Sequence, residues 1–399
     1  MRRLADHFHL GLLIVASFAM DLAYRGGNQA YQEAGLAAHG TPVQLSWLGA
    51  CAAFCYSTMC LLSGGISDRI GRKTAAALSC VGLAAAYVLA GWVQDIHQLL
   101  LLAALAGGSL AFFWPAVQAW IADLSGRGRR RLARRLAIFN VSWAAGLAAG
   151  PTYTGFLWAY GAGSGLSQRL VFGSIAGSVL LIAVVLLLTR SCAIDPDAVS
   201  EADDWGAQAH PQAASLLFAA RAGTFASWFA VGVIGSLFPK LAAELGFDER
   251  LRGVLASCFH VGQVGMFCVA LAPGSWYYRR WPVLVAEGLA LLGMLTLVWA
   301  RSPWHFAAAF LIAGVCSGVA YTASLFHSLH GRTEDRGKLA GIHEAILASG
   351  VFLSPLIGGF LAQYVSLRAP FVMVGIAFAG AMAAQLVSRS VAGRQGTLH

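Results

Sequence analysis

Twelve apolar stretches recur along the chain, and they constrain its fold more than any other feature. In the first half they cover residues 10–30, 43–63, 75–93, 99–122, 136–159 and 170–188, and in the second half residues 223–245, 253–273, 282–300, 305–329, 339–364 and 370–387. A bilayer core of about 30 Å needs roughly 20 apolar residues per helix. Charged residues make up only 11% of the chain, far below the soluble average of about 25%. The sequence therefore predicts an all-α membrane protein with twelve transmembrane helices and no large soluble domain.

One long polar connection separates the first six stretches from the last six. It has no helical apolar period and carries Asp195, Pro196, Asp197, Glu201, Asp203, Asp204 and Pro211. We therefore predict an N-terminal six-helix bundle at residues 1–189, a cytoplasmic linker at 190–220 and a C-terminal six-helix bundle at 221–399.

The lysines and arginines predict the orientation of the chain in the membrane. If the N-terminus is cytoplasmic, twenty of the 27 basic residues lie on the inner side: Arg2, Arg3, Arg69, Arg72, Lys73, Arg127, Arg129, Arg130, Arg131, Arg134, Arg135, Arg190, Arg221, Arg279, Arg280, Arg332, Arg336, Lys338, Arg389 and Arg394. Cytoplasmic loops of membrane proteins carry such an excess. We expect both termini to be cytoplasmic, in a bacterial inner membrane. The basic run at 127–135 is then a topology determinant beside anionic lipid, and a nucleic-acid partner is not expected.

The first apolar stretch has two interpretations. "MRRLADHFHLGLLIVASFAM" has the basic start and short apolar run of a signal peptide, or it is a retained first helix. Removing it would leave eleven spans and break the six-plus-six symmetry. We therefore interpret it as a retained helix.

The two halves carry similar segments. "IFNVSWAAGLAAGPTYTGFL" at 138–157 aligns with "GIHEAILASGVFLSPLIGGFL" at 341–361 at an offset of 204, which pairs Asn140 with Glu344 and Pro151 with Pro355. Paired halves are typical of secondary transporters, in which a site near the midplane is opened alternately to each side. The repeat therefore predicts transport by alternating access.

The loop between the second and third stretches contains a recognisable motif. "GGISDRIGRK" resembles the signature loop of the major facilitator superfamily, Gly-x-x-x-Asp-Arg-x-Gly-Arg-Lys, and matches it at Gly64, Asp68, Arg69, Gly71, Arg72 and Lys73. The resemblance implies two pseudo-symmetric six-helix bundles and a loop that latches them in one conformation, with Asp68 as the latching acid. The alternative is a loop that is merely basic, which would not explain its glycines or its acid.

A second motif of that family lies in the fifth stretch. It is matched by Gly146, Gly150, Pro151 and Gly155, with Thr154 in place of one glycine, and is repeated as Gly350, Ser354, Pro355, Gly358 and Gly359. Small residues let helices pack closely, and a proline bends the helix. The resemblance favours export. The chain departs from the proton-coupled drug exporters at Ala103 and Ala104, where those proteins carry an arginine.

Ionisable residues inside membrane spans are costly and are therefore functional candidates. Asp21, Arg25 and Gln29 follow one another at intervals of four on one helical face, which predicts a site for a proton or substrate; the alternative is a structural ion pair. Glu344, with His343, is a second candidate, and its repeat counterpart Asn140 a third. The alternative for Glu344 is an acid facing cytoplasmic water.

Other polar and aromatic residues are candidates for lining a pocket. They are Trp114, Gln118, Trp143, Lys240, His260, Gln263, Tyr321, Ser324 and His327. Each of them is alternatively a packing or interfacial residue. Glu287 lies near the inner end of the ninth stretch, where we expect its carboxylate to reach toward water.

The sequence gives no indication of an enzyme. The eight cysteines have no metal-ligand spacing, and no phosphate-binding Gly-x-x-x-x-Gly-Lys-Ser/Thr stretch occurs. We expect no metal or cofactor. The chain is interpreted as a monomeric secondary transporter that exports a small organic molecule in exchange for protons. The alternatives are an uptake symporter or uniporter for a sugar or organic acid, and a transporter-like sensor.

Overall fold

The computed structural model describes residues 2–125, 129–189, 213–271, 275–329 and 336–396, and among them all regular structure is helical. Apolar segments in a bilayer satisfy their backbone hydrogen bonds internally only as helices or closed barrels. Nine ranges of the described residues are long and apolar enough to cross a membrane, and Trp281–Thr296 is apolar but shorter. The predicted all-α membrane fold is confirmed.

The helices follow the predicted stretches, and two stretches are broken. The first half forms α1 (Arg2–Ala37), α2 (Pro42–Ile70), α3 (Arg72–Ala90), α4 (Ile96–Leu110), α5 (Phe113–Ser125), α6 (Arg129–Ala162) and α7 (Ser167–Leu188). The second half forms α8 (Ala213–Ser236), α9 (Phe238–Glu244), α10 (Glu249–Ala270), a 3-10 turn (Ser275–Tyr278), α11 (Trp281–Thr296), α12 (Pro303–Leu329), α13 (Arg336–Tyr364) and α14 (Ala369–Gly396). The fourth stretch is divided between α4 and α5 and the seventh between α8 and α9.

The chain forms two compact units. One contains Met1–Asp203 and Gly246–Ser257, and the other contains Asp204–Leu245 and Cys258–His399. The beginning of α10 therefore packs with α1 to α7, although it comes from the second half of the sequence. The predicted bundle and linker boundaries remain predictions, because residues 190–212 lie outside the described part.

The same helix pair occurs in each unit. In the first unit α1 packs against α6, and in the second α8 packs against α13. In α6, a Cβ at Gly146 would overlap the carbonyl oxygen of Phe18, and one at Gly150 would lie 2.6 Å from the backbone nitrogen of Gly26. The glycines thus let the backbones of α1 and α6 approach closely, as small residues do in membrane proteins.

The departure from the glycine-rich motif at Thr154 has a structural role. The Thr154 side chain is fully buried, and its Oγ1 donates a hydrogen bond of 2.9 Å to the carbonyl oxygen of Gly26. Pro151 and Pro355 lie inside α6 and α13. In α13, Gly350, Gly358 and Gly359 are buried. These motif residues therefore lie at buried positions of α6 and α13.

Candidate functional site

The polar stripe on α1 is longer than the one predicted from the sequence. Asp21, Arg25 and Gln29 are followed by Glu33, again after four residues, and Asp21, Gln29 and Glu33 are buried. Residues four apart lie on one face of a helix. Glu33 was missed, although the interval that selected the other three also selects it.

One end of this stripe is held by an arginine from α10. Arg252 Nε donates to Glu33 Oε1 over 3.0 Å, and Arg252 Nη2 donates to Glu33 Oε2. Gln29 Nε2 donates to the same Oε1 over 2.9 Å, and Glu249 Oε1 lies 3.3 Å from Arg252 Nη2. All these groups belong to the first unit. The result is a buried, bidentate ion pair, the strongest geometry for arginine and carboxylate.

The other end of the stripe has no such partner. Among the described residues, Asp21 makes no hydrogen bond and no ion pair, although it is only 5% exposed. Arg25 likewise makes none, and its Nε is buried without a hydrogen-bond partner. A structural ion pair, the alternative considered for these residues, is therefore not found within the described part of the chain. An unpaired acid can bind a proton or a cation, and an unpaired guanidinium can bind an anionic or polar ligand.

The aromatic candidates of the first half lie on α5 and α6. The Trp143 indole Nε1 donates to Asn140 Oδ1 over 3.0 Å. The Trp114 ring meets the ring of Phe139 edge to face, with centroids 5.9 Å apart, and Gln118 is exposed. Asn140 and Trp143 are thus brought together, with Trp114 beside their helix.

A second polar cluster lies in the second unit, between α12 and α13. His343 Nδ1 and Ser324 Oγ are 2.8 Å apart, and the rings of Tyr321 and His343 meet edge to face at 4.8 Å. Their neighbour Arg221, on α8, interacts electrostatically with His343. Three residues that the sequence analysis selected separately, Tyr321, Ser324 and His343, therefore form one cluster.

Glu344, the next residue on α13, has a different environment. Its side chain is exposed, and among the described residues it makes no hydrogen bond or ion pair. Its carboxylate interacts electrostatically with Tyr321. The structure thus leaves both interpretations of Glu344 open, as a coupling acid and as an acid facing water.

The remaining pocket candidates make contacts within the second unit. His260 Nδ1 and Gln263 Oε1 are 3.0 Å apart, and Gln263 Nε2 donates to Ser317 Oγ over 3.1 Å, which joins α10 to α12. Lys240 lies on α9, 3.8 Å from Glu244 of the same helix. The His327 ring meets the ring of Tyr278. Each of these side chains therefore has a neighbour within the second unit, and a role in lining a pocket stays a prediction.

The motif loop joins α2 to α3 through one residue. Gly71 has a φ of 89°, a left-handed conformation that glycine adopts without strain. Lys73 Nζ donates over 3.0 Å to the carbonyl oxygen of Thr189 at the end of α7, where a cation is favoured by the helix dipole. Arg69 is exposed and Arg72 is half-buried. The side-chain environments of Gly64 and Asp68 lie outside the described part, so the latch remains a prediction.

The expectation for Glu287 was wrong. Its side chain does not reach toward water but is fully buried, and both of its carboxyl oxygens lie 2.7 Å from Gln385 Nε2 on α14. The helix itself was predicted correctly, but the sequence did not predict that the Glu287 side chain points toward the core. Within the described part of the chain, no group of three or more His, Cys, Asp or Glu residues could hold a metal ion.

Comparison with known proteins identifies the family. The family model of the Major Facilitator Superfamily matches residues 13–220 and again residues 221–396. The multidrug resistance protein MdtG of Dickeya zeae is 24% identical over 322 residues, which are 78% of this chain and 76% of that protein. The probable inositol transporter 3 of Arabidopsis thaliana is 31% identical over 155 residues, but these span only 37% of this chain and 26% of that protein.

A solved structure has the same fold. A bacterial homologue of the human lysosomal transporter Spinster, in an inward-facing and occupied conformation, superposes with a TM-score of 0.74 at 15% identity, over 96% of this chain and 97% of that one. At this identity the likeness concerns the fold alone. Since the family model covers both halves, the chain belongs to the Major Facilitator Superfamily and is a multi-pass membrane transporter rather than an enzyme.

Proposed function

We propose that this transporter exports a small organic molecule in exchange for protons, by alternating access. The observation that carries the proposal is the unpaired Asp21 on α1. A buried carboxylate without a partner is strongly destabilised in its charged form. Asp21 therefore favours binding a proton when the surroundings supply one, and it releases the proton when its environment changes.

Arg25, one turn from Asp21, is proposed to recognise the substrate. A guanidinium that has no partner favours a ligand with an anionic or hydrogen-bond-accepting group. Aromatic side chains on α5 and α6, such as Trp114 and Trp143, would contribute apolar contact area. Together these groups favour an amphipathic organic molecule over an inorganic ion.

The direction of transport is supported by sequence likeness. MdtG, a multidrug resistance protein by name, aligns over most of both chains. The glycine and proline pattern of α6 also resembles that of exporters. An uptake transporter for a polar metabolite is the second candidate, favoured by the stretch that resembles an inositol transporter and by Ala103, which is buried in α4 where proton-coupled drug exporters carry an arginine.

We further propose that Asp68 and its loop bias the transporter toward one conformation, and that both termini face the cytoplasm of a bacterial cell. The excess of basic residues in the predicted inner loops supports this orientation. The proposed protein works as a monomer, because each half already supplies one bundle of the family fold.

Transport by the purified protein in proteoliposomes would test the proposal. A mixed panel of drugs and metabolites, with inositol among them, would be assayed with and without an imposed pH gradient. We expect one class of organic molecules to move against proton flow and to stop moving when a protonophore collapses the gradient. If the substrate moved only down its own concentration gradient, at a rate that the pH gradient did not change, the protein would be a uniporter instead.

A further inference from the structure

Glu287 lies in the interior of the second unit, where α11 meets α8, α12 and α14. Its side chain is fully buried. A Cβ on Gly223 of α8 would lie only 2.7 Å from Glu287 Oε1 and 3.1 Å from the Cβ of Ala320 on α12. The carboxyl therefore occupies a space that exists because α8 carries a glycine at this position.

Among the described residues, Gln385 is the one hydrogen-bond partner of the carboxyl. Both of its oxygens lie 2.7 Å from Gln385 Nε2, and within the described part of the chain no Lys, Arg or His nitrogen lies within 4.0 Å of it. Burying an ionised carboxylate without a cation is very costly, so such a group takes up a proton instead. The surroundings thus favour the neutral acid.

The side chain of Gln385 has a hydrogen-bond acceptor that receives no hydrogen bond. It is 1% exposed, and its side-chain Oε1 is buried without a hydrogen-bond partner. A neutral carboxylic acid and a primary amide form a ring of two hydrogen bonds, in which N–H donates to the acid carbonyl and the acid O–H donates to the amide oxygen. In the structure Nε2 faces both carboxyl oxygens. A rotation of the amide toward the acid would let a proton on Glu287 supply the donor that Gln385 Oε1 lacks.

The charged and titratable groups that face this pair do not replace the proton. From α12, the thiol of Cys316 interacts electrostatically with Glu287, and Ser227 on α8 donates to that sulfur over 3.9 Å. At the start of α11, the Arg280 guanidinium donates to the main-chain oxygen of Gln385 and to Ser215 Oγ. Neither of these two bonds is to the acid.

We infer that Glu287 and Gln385 form a buried proton-binding site, in which Glu287 carries a proton at neutral pH and Gln385 holds it in a two-hydrogen-bond pair. Binding requires only that one carboxyl oxygen take a proton from water. The proton keeps α8, α11 and α14 packed, and its loss at alkaline pH loosens this core. The site is separate from Asp21 and exists whether or not the proposed exchange of protons and substrate is correct.

Infrared difference spectroscopy on the purified full chain in lipid would test the inference. The spectrum of the wild type minus that of E287Q at neutral pH is expected to show the carbonyl band of one protonated carboxyl, shifted in heavy water. Carboxylate bands in its place would overturn the inference. Should E287Q fail to fold, Q385M serves as the second variant, and the protonated carboxyl band is expected to shift because its amide partner is gone; an unchanged band would contradict the pairing.

Thermal unfolding as a function of pH gives an independent readout. The wild type is expected to lose stability as the pH rises above about 4, because the glutamate ionises in the unfolded chain while the folded chain keeps it neutral. The loss ends at the pH where the folded acid also ionises, and E287Q lacks this contribution. Because Glu244→Gln on α9 also removes one acid but from an exposed position, its pH profile is the matched control and should follow that of the wild type. Equal losses of stability in the wild type and E287Q between acidic and neutral pH would contradict a proton at Glu287.

Discussion

Asp21 and Glu33 are the two acids of the polar stripe on α1, three intervals of four residues apart, and their partners differ. Both are buried, with 5% and 2% of their surface exposed. Glu33 receives hydrogen bonds from Arg252 and Gln29, whereas Asp21 receives none among the described residues. Burial therefore does not distinguish the two acids, but pairing does.

This difference assigns different roles to the two ends of the stripe. The charge of Glu33 is compensated by Arg252, so the pair joins α1 to the beginning of α10. No described residue forms an ion pair with Asp21, so its protonation is expected to follow the environment. We therefore interpret the Glu33 end as structural and the Asp21 end as the exchanging site, and three sets of variants test this division.

Arg252→Gln is expected to have the largest effect on stability. Removing one partner leaves the buried carboxylate of Glu33 unpaired, which typically costs about 3–5 kcal/mol. Thermal and denaturant unfolding of the purified protein in detergent would measure the loss. Arg250→Gln, two residues away and exposed, is the control and should change stability by at most about 0.5 kcal/mol. The double variant Glu33→Gln with Arg252→Gln should regain much of the loss. If Arg252→Gln were as stable as the control Arg250→Gln, the pair would have no structural role.

Glycine substitutions in α6 should have an intermediate effect. In Gly155→Ala the new Cβ would overlap the carbonyl oxygen of Glu249, near the paired end, and in Gly146→Ala it would overlap that of Phe18, near Asp21. Overpacking of this kind costs about 1–3 kcal/mol. Gly173→Ala on α7 meets no atom within 4 Å and should be neutral or stabilising by up to about 1 kcal/mol. A similar melting temperature for all three would show that α6 does not need its glycines for close packing.

Asp21→Asn should change stability least. Since Asp21 has no hydrogen bond or ion pair to lose within the described residues, replacing its carboxyl by an amide removes a desolvated group without orphaning a partner. We expect a change within about 1 kcal/mol, or a small gain. A loss of stability as large as that of Arg252→Gln would reveal a structural partner of Asp21. It would contradict the division of the stripe into a structural end and an exchanging end.

The sequence predicted the helices well because hydropathy is a local property. It did not predict the division of the fourth and seventh stretches, since apolar residues continue through Phe112 and Leu237 where the helices break. The pair of Glu33 and Arg252 was not predicted either. Its members are 219 residues apart, and one sequence contains no signal that joins such distant positions.

The sequence also failed to predict on which side of its helix a single polar side chain lies. Glu287 was placed correctly on a span but wrongly toward water, because the helix is apolar on all sides and offers no polar face to orient it. In α1, by contrast, the polar residues recur every four positions, and the stripe was predicted from that interval. The candidate site was thus predictable where polarity is periodic, and not where a single polar residue is embedded in an apolar helix.

Coupling through Asp21 is the central claim, and comparing two kinds of transport in one variant tests it most directly. Asp21→Asn imitates the protonated acid permanently, so proteoliposomes containing it should not accumulate substrate under a pH gradient but should still exchange labelled for unlabelled substrate at equal pH. The wild type should do both. Glu344→Gln is measured in the same two assays, because Glu344 is the second candidate for coupling. Accumulation that persisted in Asp21→Asn would contradict the claim and move the coupling site, first of all, to Glu344.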